Sequence, residues 1–567
     1  MEQNQLARMT RRKIGVFLAE GSSDPVRLLD ALSSLFSVQF IVFDEADRAD
    51  YDAALLFGVS REKAVAIAFG ISRCMAFIRA QPVRTAEHPS EIHLNSTPYL
   101  AQCLRGRTLS DKAIEQISYL REEPGDEVVA RRDNDILWIQ SSQGNSSIDL
   151  VAIEPPELTP ADYLFNHFQK DNWARLLPIL HFLREIDGWE EPPLRACFIL
   201  DDPNLHWRSY GYVKYDELAK DAQRHNYHVS FATVPMDNWY VHPETASLFR
   251  KNKQQLSLLI HGNNHTYFEL TQLQTGGNRR ALAAQALRRI ERLERLSGVQ
   301  VARVMAAPHG ACNQDMANVL LRAGFEAACI SRSSLMVRNP DAVWPISVGL
   351  NPAEFFGSGL PIIPRFNIRW DSTFAIFAAF LGQPIILVGH HDDLAGGLGL
   401  LQQWAGLINS LGSVEWTDMK SIARTNFSTF HEGDVLQVKT YSRRIRLNLP
   451  ETCRHVSVQR VWLNGKDSET LTVQKPGAPC ETINSYQGEP VAVAPGEEVL
   501  IGSVYPDMID THQIAMSRPS LWTVARRQIC EGRDRLRPAM DRLFALRNGK
   551  QRVSRALPEN CNSLEPK

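Results

Sequence analysis

Acidic and imidazole side chains follow directly after four apolar runs of this 567-residue sequence. The runs and the residues after them are 195–200 with Asp201 and Asp202, 256–260 with His261 and His265, 301–306 with His309, and 384–388 with His390 and His391. Each run has the length and composition of a buried β-strand. In a (β/α) barrel the C-terminal ends of the strands open on one face, where active sites sit. We therefore expect these carboxylates and imidazoles to converge on one site.

Two histidines and one aspartate have the chemistry of a metal site. His261 and His265 are four residues apart, a spacing that places both side chains on one side of a helical turn. With Asp202 they form a ligand set suited to Zn²⁺ that leaves positions open for water and substrate. Co²⁺, Ni²⁺ or Fe²⁺ also fit such a set. Gly262 stands where a zinc metalloprotease has its catalytic glutamate, so the motif excludes a metalloprotease.

The remaining polar groups supply the parts of a hydrolytic reaction. A divalent cation activates water by lowering its pKa, and Asp201 is our candidate base for the proton. It can face the same site as its neighbour Asp202 only if the backbone turns after the strand. We expect the backbone N–H of His309 to stabilise an oxyanion. His390 is the candidate acid for the leaving amine, and His391 is the alternative.

Four segments together resemble the motifs of the NodB-homology polysaccharide deacetylases, carbohydrate esterase family 4. That family has an Asp-Asp pair, then His-[Ser/Thr]-x-x-His, then Arg-x-Pro-[Tyr/Phe]-Gly and a late Leu-x-His. The similar segments here, between residues 190 and 425, are Leu200-Asp201-Asp202, His261-Gly262-Asn263-Asn264-His265, Ala306-Ala307-Pro308-His309-Gly310 and Val388-Gly389-His390. The resemblance implies a base and a metal ligand in the first segment, two imidazole ligands in the second, an oxyanion-binding amide at His309 and a general acid at His390.

Three residues depart from that family pattern. Gly262 replaces a hydroxyl residue, Ala306 replaces the arginine that orients the base, and His309 replaces an aromatic residue. Arg303 and Arg365 are the two candidates to take the place of the missing arginine. The metal triad itself is unchanged.

The substrate is less defined by the sequence than the metal site. We assign substrate contacts to Trp207, Pro308 and His391, since an indole can stack on a sugar face. The leading hypothesis is removal of an N-acetyl group from a sugar or a cell-envelope glycan precursor. Two alternatives stay open: hydrolysis of a C–N amide in a small non-sugar molecule, and a non-catalytic protein that binds glycan or scaffolds other enzymes.

Length and patterning predict four regions, because 567 residues are too many for one hydrophobic core. Residues 1–150 alternate apolar runs with helical stretches, which predicts a flavodoxin- or Rossmann-like α/β domain with a parallel sheet. Residues 151–430 begin with a helical stretch at 160–186 and then carry seven apolar runs, which predicts an irregular (β/α) barrel. Residues 431–515 contain short runs of alternating apolar and polar residues, separated by turn signals, which predicts a β-sandwich. Residues 516–567 form an arginine-rich helical tail.

The tail arginines are interpreted as a solvated helix face rather than as a phosphate-binding surface. They are Arg526, Arg527, Arg533, Arg535, Arg537, Arg542 and Arg547.

Composition narrows the class of protein and its partners. The formal net charge of -2 provides no bulk field for nucleic acid. No apolar stretch reaches the roughly 18 residues of a membrane span. The nine cysteines include no Cys-x-x-Cys pair, which argues against a disulfide framework or a cysteine zinc site. We expect a cytoplasmic protein; its carbohydrate substrate is what the resemblance to the deacetylases implies.

Overall fold

The computed structural model describes residues 12–20, 25–44, 50–79, 84–85, 90–112, 114, 116–117, 119–272, 275–356, 359–463, 468–475, 477, 479–486, 488–505, 507–516 and 518–548. Along the chain, a nine-stranded sheet, a ten-stranded sheet and two four-stranded sheets follow one another. A helix ends the described part. None of the described helices combines the length and the apolar composition that crossing a bilayer requires.

The first sheet is half parallel and half antiparallel. The strands of this region are β1 Arg12–Leu18, β2 Val38–Val42, β3 Ala53–Val59, β4 Arg73–Ile78, β5 Arg84–Thr85, β6 Ser90–Leu94, β7 Arg107–Asp111, β8 Gln116–Ile117, β9 Asp126–Arg132, β10 Asp135–Gln143 and β11 Ser146–Val151, with helices α1 Val26–Leu35 and α2 Arg61–Ala68. The order across the sheet is β2-β1-β3-β4-β11-β10-β9-β6-β7, and β5 pairs with β8 apart from it.

The parallel half, from β2 to β11, has the expected α/β pattern. From β11 to β7 the pairing is antiparallel, which corrects the expectation of a parallel sheet throughout. The cause is local: two-residue loops join β9 to β10 and β10 to β11, with Asp133 and Gly144 at positive φ. Such short loops can connect only antiparallel neighbours.

The central region is built on one long sheet. The strands of this region are β12 Leu194–Asp201, β13 Ser209–Tyr210, β14 Val213–Lys214, β15 Val229–Thr233, β16 Leu256–Ile260, β17 Val301–Ala306, β18 Ala327–Ile330, β19 Glu354–Phe356, β20 Leu360–Pro364, β21 Phe366–Asn367, β22 Ile385–Gly389 and β23 Val414–Trp416. Of these, β13 and β14 form a separate two-stranded sheet. The helices of the region are α3 Leu177–Asp187, α4 Tyr215–His225, α5 Pro243–Lys251, α6 Gly276–Ser297, α7 Gln314–Arg322, α8 Arg332–Val337, α9 Thr373–Phe380, α10 Gly399–Asn409 and α11 Met419–Arg424. β15 and β18 are buried along their whole length, and β12, β16, β17, β20 and β22 are buried at all residues but one, as parallel strands covered by helices are.

This sheet is open among the described strands. Its order is β19-β20-β18-β17-β16-β15-β12-β22-β21, with β23 also pairing with β12. Each of the seven predicted apolar runs lies in one of these strands. The expected irregular (β/α) barrel is nevertheless not confirmed, because in the described part the edge strands β19 and β21 do not pair with each other and the sheet does not close. The structure therefore shows a mixed α/β fold of the predicted strands in an open sheet.

The expectation of a single helix at 160–186 is also wrong. That stretch holds a 3-10 turn at Leu164–His167 and then α3, which begins only at Leu177. The buried carboxylate of Asp111 accepts the backbone N–H groups of Trp173 and Ala174 at 2.8 and 2.9 Å, which fixes a non-helical bend before α3.

Two four-stranded sheets follow and share one apolar core. Their strands are β24 Phe427–Glu432, β25 Val435–Thr440, β26 Arg444–Asn448, β27 His455–Arg460, β28 Ser468–Gln474, β29 Glu481–Tyr486, β30 Pro490–Ala492 and β31 Glu498–Val504. The orders are β24-β25-β27-β30 and β26-β31-β28-β29, an arrangement typical of the predicted sandwich.

The last described element is the helix α12 Leu521–Asn548, which contains Pro538. A helix in the arginine-rich tail was predicted. The interpretation of its arginines as a solvated face is wrong for Arg527, which is 8% exposed. The side chains of Arg542 and Arg547 lie outside the described part.

Candidate active site

The strands that precede the candidate residues are near neighbours in the central sheet. β17, β16, β15, β12 and β22 lie side by side and run parallel. Their C-terminal ends therefore share one edge of the sheet. The predicted candidates follow four of these strands, and the fifth, β15, is followed by the 3-10 turn Pro235–Asp237.

Asp202, His261 and His265 lie together at this edge, and each offers a possible ligand atom within 4.8 Å of the other two. Asp202 Oδ1 is 3.3 Å from His265 Nε2. His261 Nδ1 is 2.8 Å from the carbonyl oxygen of Ala306. Because a carbonyl only accepts, His261 Nδ1 carries the proton and Nε2 keeps the lone pair that a metal ion needs. The donor set therefore fits a divalent cation such as Zn²⁺.

The protonation states of these residues suit a cation as well. Burial lowers the pKa of His265 to about 3, so that its imidazole is neutral at physiological pH. Burial acts to raise the pKa of Asp202, but the charges of Arg527 and of the nearby histidines outweigh it and hold that pKa below its usual range. An ionised carboxylate and a neutral imidazole are the forms that bind metal.

The backbone is left-handed at three of the candidate residues. φ is 74° at Asp202, 53° at His265 and 55° at His309. For residues other than glycine such a conformation costs about 1–3 kcal/mol and persists only where the surroundings enforce it. At Asp202 it provides the turn that lets two adjacent carboxylates face the histidines, since Asp201 Oδ1 is 4.0 Å from His261 Nδ1.

Arg365 takes the place beside the candidate base. Its Nη1 is 3.1 Å from Asp201 Oδ2 and its Nη2 donates to the carbonyl oxygen of Ala307 at 3.0 Å. Both side chains of the ion pair are about 5% exposed. Arg303, the other candidate, pairs instead with Glu294 at 2.8 Å. Arg365 follows β20 directly, so the signal that singled out the other residues, a polar side chain just after an apolar run, also applies to it.

Gly262 departs from the family pattern for a local reason. Its φ is +63°, and a Cβ there would lie 2.0 Å from Glu269 Oε1. The carboxylate of Glu269 accepts the backbone N–H groups of Asn263, Asn264 and His265 at 2.7, 3.1 and 3.1 Å. Glu269 thus organises the loop that carries both histidines, and only a glycine leaves room for it. Sequence reasoning did not identify Glu269.

His309 borders the triad from the next strand. It lies in the 3-10 turn Pro308–Gly310 after β17. Its ring is 5.2 Å from the ring of His265 and 5.4 Å from that of Phe268, and partial burial lowers its pKa. Pro308 is buried beside Gly262. An oxyanion-binding role for the His309 amide stays a prediction.

The two adjacent histidines after β22 have different surroundings. His390 is half exposed, and its Nε2 is 3.8 Å from Asp202 Oδ2. His391 is 3% exposed; its ring lies 4.7 Å from that of Tyr210, and a Cβ on Gly211 would be only 2.3 Å from it. The geometry brings His390 to the triad and places His391 in the packing behind it.

The last substrate candidate, Trp207, is 52% exposed at the same edge. One face of its indole is covered by the guanidinium of Arg535, 4.3 Å from the ring centroid. Arg535 belongs to α12, as does Arg527, whose Nη1 is 3.0 Å from Asp202 Oδ1. Sequence reasoning missed Arg527, because nothing in the spacing of the tail arginines distinguishes the one that reaches the site.

No family model matches this chain, and no curated protein matches it. Solved structures that resemble it include carbohydrate deacetylases. The carbohydrate deacetylase Agd3 is 9% identical, with 88% of this chain and 99% of that chain covered and a TM-score of 0.49. The family 4 carbohydrate esterase from Streptomyces lividans is 12% identical over 42% of this chain and 96% of that chain, with a TM-score of 0.26. A CE4 esterase of Streptococcus mutans is 12% identical over 40% and 87%, with a TM-score of 0.24.

Proposed function

We propose that this protein is a metal-dependent hydrolase that removes an N-acetyl group from a sugar or a glycan precursor. The observation that carries the proposal is the convergence of Asp202, His261 and His265 within 4.8 Å, beside a carboxylate, Asp201, that a buried arginine holds. In this proposal the triad binds a divalent cation. Its donor set favours Zn²⁺ and also suits Co²⁺, Ni²⁺ or Fe²⁺. The cation supplies Lewis-acid activation of water and of the acyl oxygen.

Asp201 is the base in this proposal. The guanidinium of Arg365, 3.1 Å from Oδ2, fixes the orientation of the carboxylate. Oδ1 then lies on the side of His261, where it can accept a proton from the attacking water. General-base catalysis of this kind contributes about 10²–10⁴-fold in rate.

His390 is the acid. The water oxygen first bonds to the acyl carbon, the amide C–N bond then breaks, and the products are acetate and a free amine. The amine nitrogen needs a proton as it leaves, and His390 Nε2, on an exposed imidazole, lies 3.8 Å from Asp202 Oδ2. The backbone N–H of His309 is the proposed donor to the oxyanion. Substrate contacts are proposed for Trp207 and Pro308.

Acetate release from the purified full-length protein tests the proposal. The protein is loaded with Zn²⁺ or Co²⁺ and given chitooligosaccharides and N-acetylated sugar nucleotides. We expect metal-dependent release that falls at least about 10²-fold in Asp201→Asn and is lost in Asp202→Ala together with the bound metal. Failure of the wild-type protein to bind any transition metal would point to the non-catalytic alternative.

One observation favours a second candidate, hydrolysis of a C–N amide in a small non-sugar molecule. The guanidinium of Arg535 lies over the indole of Trp207 and covers one of the two faces on which a sugar ring could stack. Metal-dependent hydrolysis of small N-acyl compounds, with no release from any sugar substrate, would establish this candidate over the first.

A further inference from the structure

The C-terminal helix α12 lies across the candidate active site. Its residues contact the segments that follow four of the five neighbouring strands. The contacts are Arg526 to the carbonyl oxygen of His265, Arg527 to Asp202 and Asp237, Glu531 to Asn204, Asp534 to His391, Arg535 to Trp207, Arg537 to Asp392 and Asp541 to Tyr212. The helix is therefore part of the wall around the site, although it begins more than 90 residues after α11 ends.

The helix meets the site with its polar face. Arg527, Glu531, Asp534 and Asp541 recur at intervals of three, four and seven residues, which places them on one side of the helix. Four large apolar residues in the part of the helix whose side chains are described are exposed: Leu521 is 90% exposed, Trp522 69%, Ile529 64% and Leu536 61%. Up to Asp541, the contacts that hold α12 against this edge of the sheet are therefore ion pairs and hydrogen bonds.

Arg527 is the most buried of the α12 residues that contact the site. Its Nη1 is 3.0 Å from Asp202 Oδ1 and its Nη2 donates to the Asp202 carbonyl oxygen at 2.8 Å. On the other side its Nε donates to Asp237 Oδ2 at 2.7 Å. One guanidinium therefore donates hydrogen bonds to both the side chain and the backbone of Asp202. The buried carboxylate of Asp237 balances the charge of that guanidinium.

These hydrogen bonds stabilise an unfavourable backbone conformation at Asp202. Asp202 has a φ of 74°, a backbone state that persists only where neighbouring groups enforce it. A guanidinium bound to the carbonyl oxygen and to Oδ1 of the same residue enforces it directly. Oδ1 is also 3.3 Å from His265 Nε2, a separation compatible with two ligands of one cation, and a carboxylate oxygen has lone pairs for both a metal and a guanidinium.

We infer that α12 is a component of the metal site, and that Arg527 is a positioning residue that holds Asp202 in its ligand conformation. The inference rests on the proposed function of the triad as a metal site. It has a thermodynamic consequence: if docked α12 strengthens metal binding, bound metal must strengthen the docking of α12 by the same factor.

Metal affinity of the full-length protein tests the first half. The Zn²⁺ dissociation constant is measured by competition with a chromogenic chelator for the wild type, Arg527→Met, Arg527→Lys and Arg533→Met. Partners behind metal ligands typically contribute about 10–100-fold to affinity, and we expect a weakening of that size in Arg527→Met. Arg527→Lys should recover only part, because an ammonium cannot bind two oxygens in a fixed fork.

Arg533→Met is the matched control. Arg533 is an exposed arginine of the same helix that pairs with its neighbour Asp534, and its dissociation constant should stay within about twofold of the wild type, since exposed ion pairs contribute little. The double variant Arg527→Met/Asp237→Asn separates positioning from folding, because it removes the buried charge that Arg527→Met leaves unpaired. It should keep the wild-type melting temperature and still bind Zn²⁺ weakly.

Limited trypsin digestion tests the reciprocal half, because α12 is rich in arginine. Zn²⁺ should slow cleavage within α12 in the wild type and in Arg533→Met, and should have little effect in Arg527→Met or Asp202→Ala.

A wild-type dissociation constant in Arg527→Met or in the double variant overturns the inference, and so does cleavage of wild-type α12 at a rate independent of Zn²⁺. If the wild type binds no metal, the proposed function and the inference both fail. If the wild type binds metal and the dissociation constant does not change when Arg527 is replaced, only the inference fails.

Discussion

The guanidinium of Arg365 lies 3.1 Å from the carboxylate of Asp201 and reaches it from the strand end after β20. In the deacetylase motif that this sequence resembles, the arginine precedes the Pro-x-Gly turn, where this chain has Ala306. In this chain a guanidinium reaches the candidate base from a different strand. A guanidinium can enter one site from any strand that ends at the shared edge of the sheet.

Replacing Arg365 by Met should lower kcat and leave the metal in place. Arg365 holds the base but contacts no member of the triad, and a misplaced catalytic group costs about 10²-fold in rate. We expect a kcat reduced about 10²-fold with Zn²⁺ content unchanged. Arg303→Met is the control, because Arg303 pairs with Glu294 away from the site. Equal losses in the two variants would contradict the assignment of Arg365 to the base.

Restoring the family's hydroxyl residue at Gly262 should damage the site. In Gly262→Ser the new Cβ would meet Glu269 Oε1 at 2.0 Å, at a φ of +63°. Overpacking of this kind costs about 1–3 kcal/mol, and displacement of Glu269 would release three backbone N–H groups around His265. We expect a lower melting temperature and weaker Zn²⁺ binding.

Gly276→Ser is the matched control for this substitution, since a Cβ at Gly276 meets nothing within 4 Å. A Gly262→Ser protein that is as stable and binds Zn²⁺ as tightly as the control would show that the loop can move Glu269 aside without loss.

The strand ends could be predicted because their signal is local. The apolar run 256–260 forms a strand that is buried on both faces. A polar residue directly after such a run, such as His261, therefore marks the end of the buried strand. Parallel pairing then brings such ends together without further information. Open or closed sheet geometry could not be predicted, because it depends on whether the short edge strands β19 and β21 meet, which no local pattern determines.

Residues that act through packing were harder to predict. The requirement for glycine at position 262 follows from the position of Glu269, whose carboxylate occupies the place of a Cβ. The sequence alone does not show that contact. Arg527 is 325 residues from Asp202 in sequence, and helical periodicity places it on a face of α12 without indicating what that face contacts. The solvated interpretation failed for Arg527 because a polar helix face can also cover a polar candidate site.

The buried carboxyl of Asp149 should make the stability of the first sheet depend on pH. Burial raises the pKa of Asp149 to about 6, although Tyr99 and Trp138 donate hydrogen bonds to it at 2.7 and 3.0 Å. Well below the unfolded-state pKa of about 3.9, the carboxyl is neutral in the folded and the unfolded state. As the pH rises to about 6 the unfolded state ionises first, so the free energy of unfolding falls, by about 3 kcal/mol in total.

Asp149→Asn removes this titration while keeping an acceptor oxygen. Relative to the wild type, the variant should gain stability between pH 4 and pH 7, as measured by urea unfolding at both values. Asp133→Asn, in the exposed loop between β9 and β10, is the control and should keep the wild-type pH dependence. The idea fails if Asp149→Asn and the wild type lose stability in parallel as the pH rises.

His390 and His391 should fail in different ways when each is replaced by Asn. His390 is exposed beside Asp202, so its loss should remove the proton donor and lower kcat for amide substrates by about 10²-fold or more. An aryl acetate has a leaving group that departs without a proton, and its hydrolysis should fall much less. His391 packs against Tyr210, so His391→Asn should mainly lower the melting temperature. Comparable losses on amide and aryl acetate substrates in His390→Asn would exclude His390 as the acid.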